Sequence, residues 1–172
     1  MQKNRYLYQR LAVVRIAVIK KSIKIVRRLM KKILILCTGN SCRSQIAEGY
    51  IRHFAKDHAY IYSAGIETHG VNSKAIFVMK EDGIDISDQT SNNINEYHDI
   101  NFDYVITVCD NAKERCPFFP STAQRFHYNF PDPAKASGTE EQVMEQFRKV
   151  RDQIKEYCFQ FVKEHIPIDT QK

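Results

Sequence analysis

The run Cys37-Thr38-Gly39-Asn40-Ser41-Cys42-Arg43-Ser44 separates a cysteine from an arginine by five residues, most of them small or turn-forming. Set between a strand and a helix, such a loop makes a cradle for an oxyanion. Successive backbone N–H groups converge on one point, and the N-terminus of the helix adds positive potential. Arg43 can grip two oxygens of a tetrahedral anion through its planar fork. The same field favours the Cys37 thiolate, which predicts a lowered pKa. A thiolate beneath a bound oxyanion is a nucleophile aimed at the central atom, and Ser44 is placed to donate a hydrogen bond to it. Cys-x5-Arg spacing alone arises by chance; the flanking strand and helix and the Gly-Asn-Ser filling give it weight. The expected oxyanion-binding set is Thr38, Gly39, Asn40, Ser41, Cys42, Arg43 and Ser44.

Displacement at a tetrahedral centre needs an acid for the departing oxygen. Asp132, just before Pro133 in the loop after a fourth strand, is the candidate, because loops at the C-terminal ends of parallel strands converge on one crevice. Cys109 and Cys116 form a second pair, in Cys109-Asp-Asn-Ala-Lys-Glu-Arg-Cys116-Pro117. Their spacing is not a usual zinc knuckle and no clear second ligand pair accompanies it, so zinc is the weaker reading. A thiol relay fits better: Cys109 attacks the Cys37 sulfur, and Cys116 then attacks Cys109. If the stretch between them is helical, it rises ~10.5 Å, whereas a disulfide tolerates Cα atoms only about 6.8 Å apart. The segment must then unwind for the second bond to form. Cys42 has no evident partner and is read as non-essential.

The elements that position these residues can be read from their patterning. Ile33–Leu36 is a short continuous apolar run, the mark of a buried parallel strand, and the cradle follows it directly. A helix with Ile46, Ala47, Tyr50, Ile51 and Phe54 on one face comes next. Residues 59–62 read as a second strand, Asn72 to Asp82 as a helix closed by Gly83, and 85–99 as polar chain with one short helix. Phe102–Val108 reads as the third strand and 124–128 as a weaker fourth. The last helix starts near Thr139, an N-cap. Its apolar stripe is Val143, Phe147, Val150, Ile154, Cys158 and Phe161, which makes Cys158 a core residue. Strands alternating with helices predict an α/β fold of three layers around a central four-stranded parallel sheet.

A chain of 172 residues suits one domain of ordinary size. Its net charge of +6 is unevenly spread. Eleven of the 26 basic residues fall within residues 1–32, which hold no acidic residue; the remainder has 15 basic against 20 acidic. The body of the chain therefore offers no nucleic-acid-binding surface. No apolar run approaches the length of about 18 residues that a membrane span needs. The apolar stretch 11–19 is split by Arg15 and lacks a cleavage site, so a secretory signal reads poorly. Three readings of residues 1–29 stand: a membrane-surface or polyanion-binding tail, a disordered appendage, or sequence upstream of a true start at Met30. The expected organisation is a basic extension, 1–29, and a catalytic domain, 30–172. Five cysteines, an odd count, argue against a secreted disulfide framework and for a reducing, cytoplasmic setting.

These residues resemble the thioredoxin-coupled arsenate reductases, which share the low-molecular-weight tyrosine phosphatase fold. The likeness covers about residues 30–165. It rests on Ile35-Leu-Cys-Thr-Gly-Asn-Ser-Cys-Arg-Ser-Gln-Ile-Ala-Glu-Gly49, Tyr62-Ser-Ala-Gly-Ile-Glu-Thr-His-Gly-Val-Asn72, Val108-Cys-Asp with Cys116-Pro117, and Asp132-Pro-Ala134. The resemblance implies that Cys37 is the arsenate nucleophile, Arg43 the oxyanion clamp, Asp132 the acid, and Cys109 and Cys116 the relay. It also implies a candidate potassium site at Asn40, Glu48, Ser63 and Asn92. The last position is Asp in the potassium-binding members, so one anionic oxygen of the kind a hard cation prefers is missing.

The expected protein is thus a cytoplasmic, monomeric arsenate reductase with thioredoxin as reductant and no organic cofactor. The alternative is a phosphatase acting on phosphotyrosine or a similar ester. Against it, Cys109 and Cys116 have no task in phosphatase chemistry, and Ala134 stands where phosphatases of this fold often place an aromatic residue. An oxyanion-binding protein docked by its basic tail is a third reading, disfavoured by the complete Cys-Arg-Asp set.

Overall fold

The computed structural model describes residues 30–109 and 122–168. The extension 1–29 and Cys116 lie outside the described residues. Four parallel strands, β1 (Lys31–Cys37), β2 (Ala59–Gly65), β3 (Tyr104–Thr107) and β4 (Gln124–His127), lie in the order β2-β1-β3-β4. Strand β1 thus sits between β2 and β3, and its C-terminal end is the point where chain connections diverge to opposite sides, the usual place for a ligand crevice.

The continuous apolar run of β1 is buried on both faces. Ile33 and Ile35 join the larger core with helices α1 (Arg43–Ala55), α2 (Ser73–Glu81) and α3 (Glu140–His165). Leu34 and Leu36 face a smaller core with Ile94, Phe102 and Val105. Each such side chain contributes about 1.5–3 kcal/mol by leaving water. The second face is covered, among the described residues, by the 3-10 turn Ile94–Tyr97 and the chain around it.

Helix α1 lies deepest, with every residue from Ser44 to Ile51 buried. Helix α2 is capped by Asn72, whose side chain accepts from the Lys74 and Ala75 amides. Thr139 and Gln142 form a reciprocal capping box at the start of α3. Its stripe is as expected from Phe147 to Phe161, but Met144 is buried and Val143 only half-buried. Arg148 and Arg151 pair with Glu81, and Lys155 with Asp82, tying α3 to the end of α2.

All four strands depart from their expected limits: β1 is longer at both ends and β4 ends one residue early. Strand β2 continues past Tyr62 because its ladder with β1 runs on to the Cys37–Gly65 pair. Strand β3 starts at Tyr104 rather than Phe102, since the Asp103 carboxylate accepts from the Lys32 amide and from Lys31 Nζ just before it. No helix among the described residues is long and apolar enough to cross a membrane.

Candidate active site

The cradle joins β1 to α1. Cys42 holds the N-cap position of α1 and makes no side-chain cap, so the first-turn N–H groups are left for another acceptor. Asn40 takes the left-handed region at φ 42°, which asparagine tolerates better than most residues. That turn brings its amide within 3.1 Å of Cys37 Sγ. An outer loop grips the cradle from behind: the amides of Glu67, His69 and Asn72 donate to the carbonyls of Thr38, Gly39 and Ser41 at 2.9, 3.2 and 2.9 Å. With those carbonyls turned outward, the N–H groups of the trans peptides that follow them point inward.

Close packing fixes this arrangement. A Cβ on Gly65 would meet the Glu67 carbonyl oxygen, and would lie 2.7 Å from both Asn40 N and Thr38 O. A Cβ on Gly39 would run into the His69 ring. His69, paired with Glu67 at 3.1 Å, therefore lies over the cradle and lines its cavity. Sequence reasoning assigned His69 no place at the site; it sits inside a recognisable run, but nothing in its spacing marks it.

Cys37 is 3% exposed, and Ser44 Oγ lies 2.9 Å from its sulfur, as expected. Its ionisation departs from the expectation. Burial pushes the Cys37 thiol up, and the Ser44 hydroxyl and the Asn40 and Ser44 amides only partly offset this. The arginine charge that was to favour the thiolate is engaged elsewhere. Arg43 donates from Nη1 to the Phe130 carbonyl and from Nη2 to Asp132 Oδ2, both at 3.0 Å. Asp132 caps the 3-10 turn Pro133–Lys135 through the Ala134 amide. Cys42 is buried, and its thiol is pushed far up by burial and by the Asp132 charge. Cys158 lies in the core, its thiol directed at the Ala47 carbonyl.

The structure brings Cys37, Arg43, Asp132 and Cys109 together around one cavity of about 770 Å³. Cys109 is 2% exposed and its sulfur lies 3.5 Å from Thr38 Oγ1. Cys37 and Cys109 are thus two buried free thiols on one cavity wall.

The residues of the candidate potassium site are turned to protein partners in this structure. Glu48 is neutralised by Arg52 and accepts from Ser63. The Asn40 amide nitrogen donates to Ser63 and Ser44. Asn92 turns its side chain to Thr90 and Glu96 and offers Asn40 only its backbone N–H. The side-chain oxygens of Glu48, Asn40 and Asn92 each accept from protein donors. No group of three or more His, Cys, Asp or Glu side chains suited to a metal occurs among the described residues.

Sheet order, cradle and apposed aspartate define a phosphatase-like α/β protein. The low molecular weight phosphotyrosine protein phosphatase family matches residues 32–171. An arsenate reductase of Halalkalibacterium halodurans is 52% identical over 72% of this chain and 89% of its own length. One from Bacillus subtilis is 51% identical over the same shares. A solved arsenate reductase in its oxidised state superposes with a TM-score of 0.69 at 32% identity, over 78% of this chain and 98% of that one. The chain belongs to the low molecular weight phosphotyrosine protein phosphatase family and, within it, to the arsenate reductases.

Proposed function

We infer that the chain reduces arsenate to arsenite, with residues 30–172 carrying the activity. The observation that carries this reading is the second buried thiol, Cys109, on the cavity wall beside Cys37. Ester hydrolysis needs one nucleophile; a two-electron reduction needs two thiols.

In the proposed sequence arsenate enters the cradle and competes with Asp132 for the Arg43 fork. Arg43 turns to the oxyanion, which brings its charge over Cys37 and frees the Asp132 carboxyl to carry a proton. The Cys37 sulfur attacks arsenic, and Asp132 protonates the departing oxygen, which leaves as water. A Cys37–S–arsenic bond remains. Cys109, as thiolate, attacks the Cys37 sulfur. The S–As bond breaks with its electron pair going to arsenic, so arsenic(V) becomes arsenic(III) and leaves as arsenite, while the two sulfurs are oxidised to a disulfide. Cys116 then attacks Cys109 and releases Cys37. A reduced thioredoxin restores the Cys109–Cys116 dithiol, and no organic cofactor enters.

Arsenite formation with a thioredoxin system, compared with para-nitrophenyl phosphate hydrolysis, tests the reading. Arsenite production on multiple turnovers supports it. Strong hydrolysis without arsenite makes the chain a phosphatase.

A further inference from the structure

Behind the cradle, a line of hydrogen bonds leads from the protein surface to the nucleophile. Glu48, 6% exposed, accepts at Oε1 from Arg52 Nε and Nη2 at 2.8 and 2.7 Å. Arg52 Nη2 also donates to the Ile61 carbonyl at 2.7 Å. At Oε2, Glu48 accepts from the Ser63 hydroxyl at 2.5 Å. Ser63 Oγ accepts from Asn40 Nδ2 at 2.8 Å, and the same amide donates to Ser44 Oγ at 3.0 Å. Ser44 Oγ reaches Cys37 Sγ at 2.9 Å.

The direction of each hydrogen follows from the ends. Asn40 Oδ1 faces the Asn92 N–H at 2.7 Å. A backbone N–H can only donate, so that end of the amide is the oxygen and the other end is the nitrogen. The two Asn40 N–H bonds therefore run outward, one to each serine. Each serine, already accepting from Asn40, has one hydrogen left. Ser63 gives its hydrogen to the Glu48 carboxylate, and Ser44 gives its own to Cys37. A carboxylate this deeply buried is costly without a counter-charge, and it would oppose both a thiolate and an incoming anion. Arg52 supplies that counter-charge from a half-exposed position on the next turn of α1.

We propose that the Arg52 guanidinium is the built-in cation of the Cys37 cradle. By neutralising Glu48 it cancels the buried negative charge behind the cradle, while the Asn92 amide fixes the hydrogen-bond direction that points the Ser44 hydroxyl at the nucleophile, so oxyanion binding needs no free monovalent cation. Arg52 is a positioning residue, acting through Glu48. The assignment rests on the cradle reading above, and its test does not depend on turnover.

The probe is inorganic phosphate protecting Cys37 from iodoacetamide, followed by peptide mass in potassium chloride and in choline chloride at equal ionic strength. Wild type and R52K should give the same protection midpoint in both salts. R52M should need about tenfold more phosphate in choline, the effect of one lost charge-assisted bond, and should recover in potassium as the small cation takes the guanidinium's place. E48Q/R52M, lacking both charges, should show no salt response. An R52M midpoint unchanged in choline, or equally weak in both salts, overturns the proposal, as does a wild-type midpoint that moves between salts. Should R52M not fold, the double variant decides: folded with salt-independent protection, it supports the counter-charge role; unfolded, it overturns it. A wild type that protects as expected yet forms no arsenite refutes the reductase reading and leaves the Arg52 assignment standing.

Discussion

Gly65→Ala is the most direct test of how the cradle is held. The glycine closes β2 at the level of Cys37, its register partner on β1. An added methyl would lie 2.7 Å from Asn40 N and from Thr38 O, against 3.4 Å for ordinary contact, so the cradle backbone would have to retreat by about 0.7 Å. These neighbours are main chain, not the flexible ends of side chains, and Asn40 N is the amide that donates to Cys37 Sγ. Overpacking of this kind costs about 1–3 kcal/mol and should lower Tm by several degrees. Displacements approaching 1 Å in a reacting constellation cost up to about 100-fold, so kcat/KM for arsenate should fall by roughly 10- to 100-fold. Gly83→Ala is the matched control. Gly83 has φ 78° with open space around it and lies off the Cys37 cavity. Alanine there costs about 1–2 kcal/mol of backbone strain and should leave kcat/KM unchanged. Thermal melts of both variants, with arsenite formation at a temperature where both are folded, separate the two effects. If G65A keeps kcat/KM within about twofold of wild type, the argument that Gly65 sets the cradle is wrong.

Three further outcomes are expected. Cys37→Ser should abolish arsenate reduction and any phosphatase side reaction, and Arg43→Lys should be severe because an ammonium cannot reproduce the bidentate fork; near-normal turnover by either would remove that residue from the mechanism. Cys116→Ser should stop after one turnover with a Cys37–Cys109 disulfide and Cys109→Ser before arsenite leaves, as peptide mapping would reveal; multiple turnovers by Cys116→Ser with thioredoxin as sole reductant would refute the relay. Asp82 concerns stability: burial pushes its carboxyl up, but the bonds from Lys155 and Tyr50 and the charges of Lys155 and Arg151 outweigh this and hold it below 3.8. Its contribution is present above pH 3.8 and lost as pH falls through the lower folded value, so Asp82→Asn should cost about 1–2 kcal/mol at neutral pH, and the gap from wild type should close in acid denaturation series run below pH 3.8.

What the sequence disclosed, and what it concealed, follows the distance over which each feature is made. The cradle was legible because Cys37 to Ser44 is one uninterrupted stretch whose turn chemistry and reactive groups coincide. Thr139 was legible as a cap for the same reason. The long-range partners were not. Arg43 meets Asp132 across 89 positions, and nothing local says that the two form an ion pair. His69 reaches the cavity only because the loop after β2 folds back on Gly39. The last three residues of β2 gain their strand character from pairing with β1, not from their own alternation. The Glu48–Arg52 pair has helical spacing, but whether such a pair is an exposed ornament or a buried counter-charge depends on the burial of Glu48 between α1 and β2, which only the fold supplies.

The Cys37 thiol shows why site chemistry cannot be inferred from motif chemistry alone. Convergent amides and an arginine six positions on argue for a thiolate, and each of those donors exists. Yet the sulfur is buried, and burial disfavours the charged form more than two kinds of hydrogen bond favour it. The Arg43 guanidinium, which the motif would set over the sulfur, is turned instead to Asp132 and the Phe130 carbonyl. An oxyanion that draws Arg43 away from Asp132 changes both groups at once: the nucleophile gains a cation and the acid loses one. For Cys37 the added cation favours loss of a proton, the state that attack needs. On this reasoning the Arg43–Asp132 ion pair couples oxyanion binding to the two groups that the proposed mechanism uses, the Cys37 thiol and the Asp132 carboxyl.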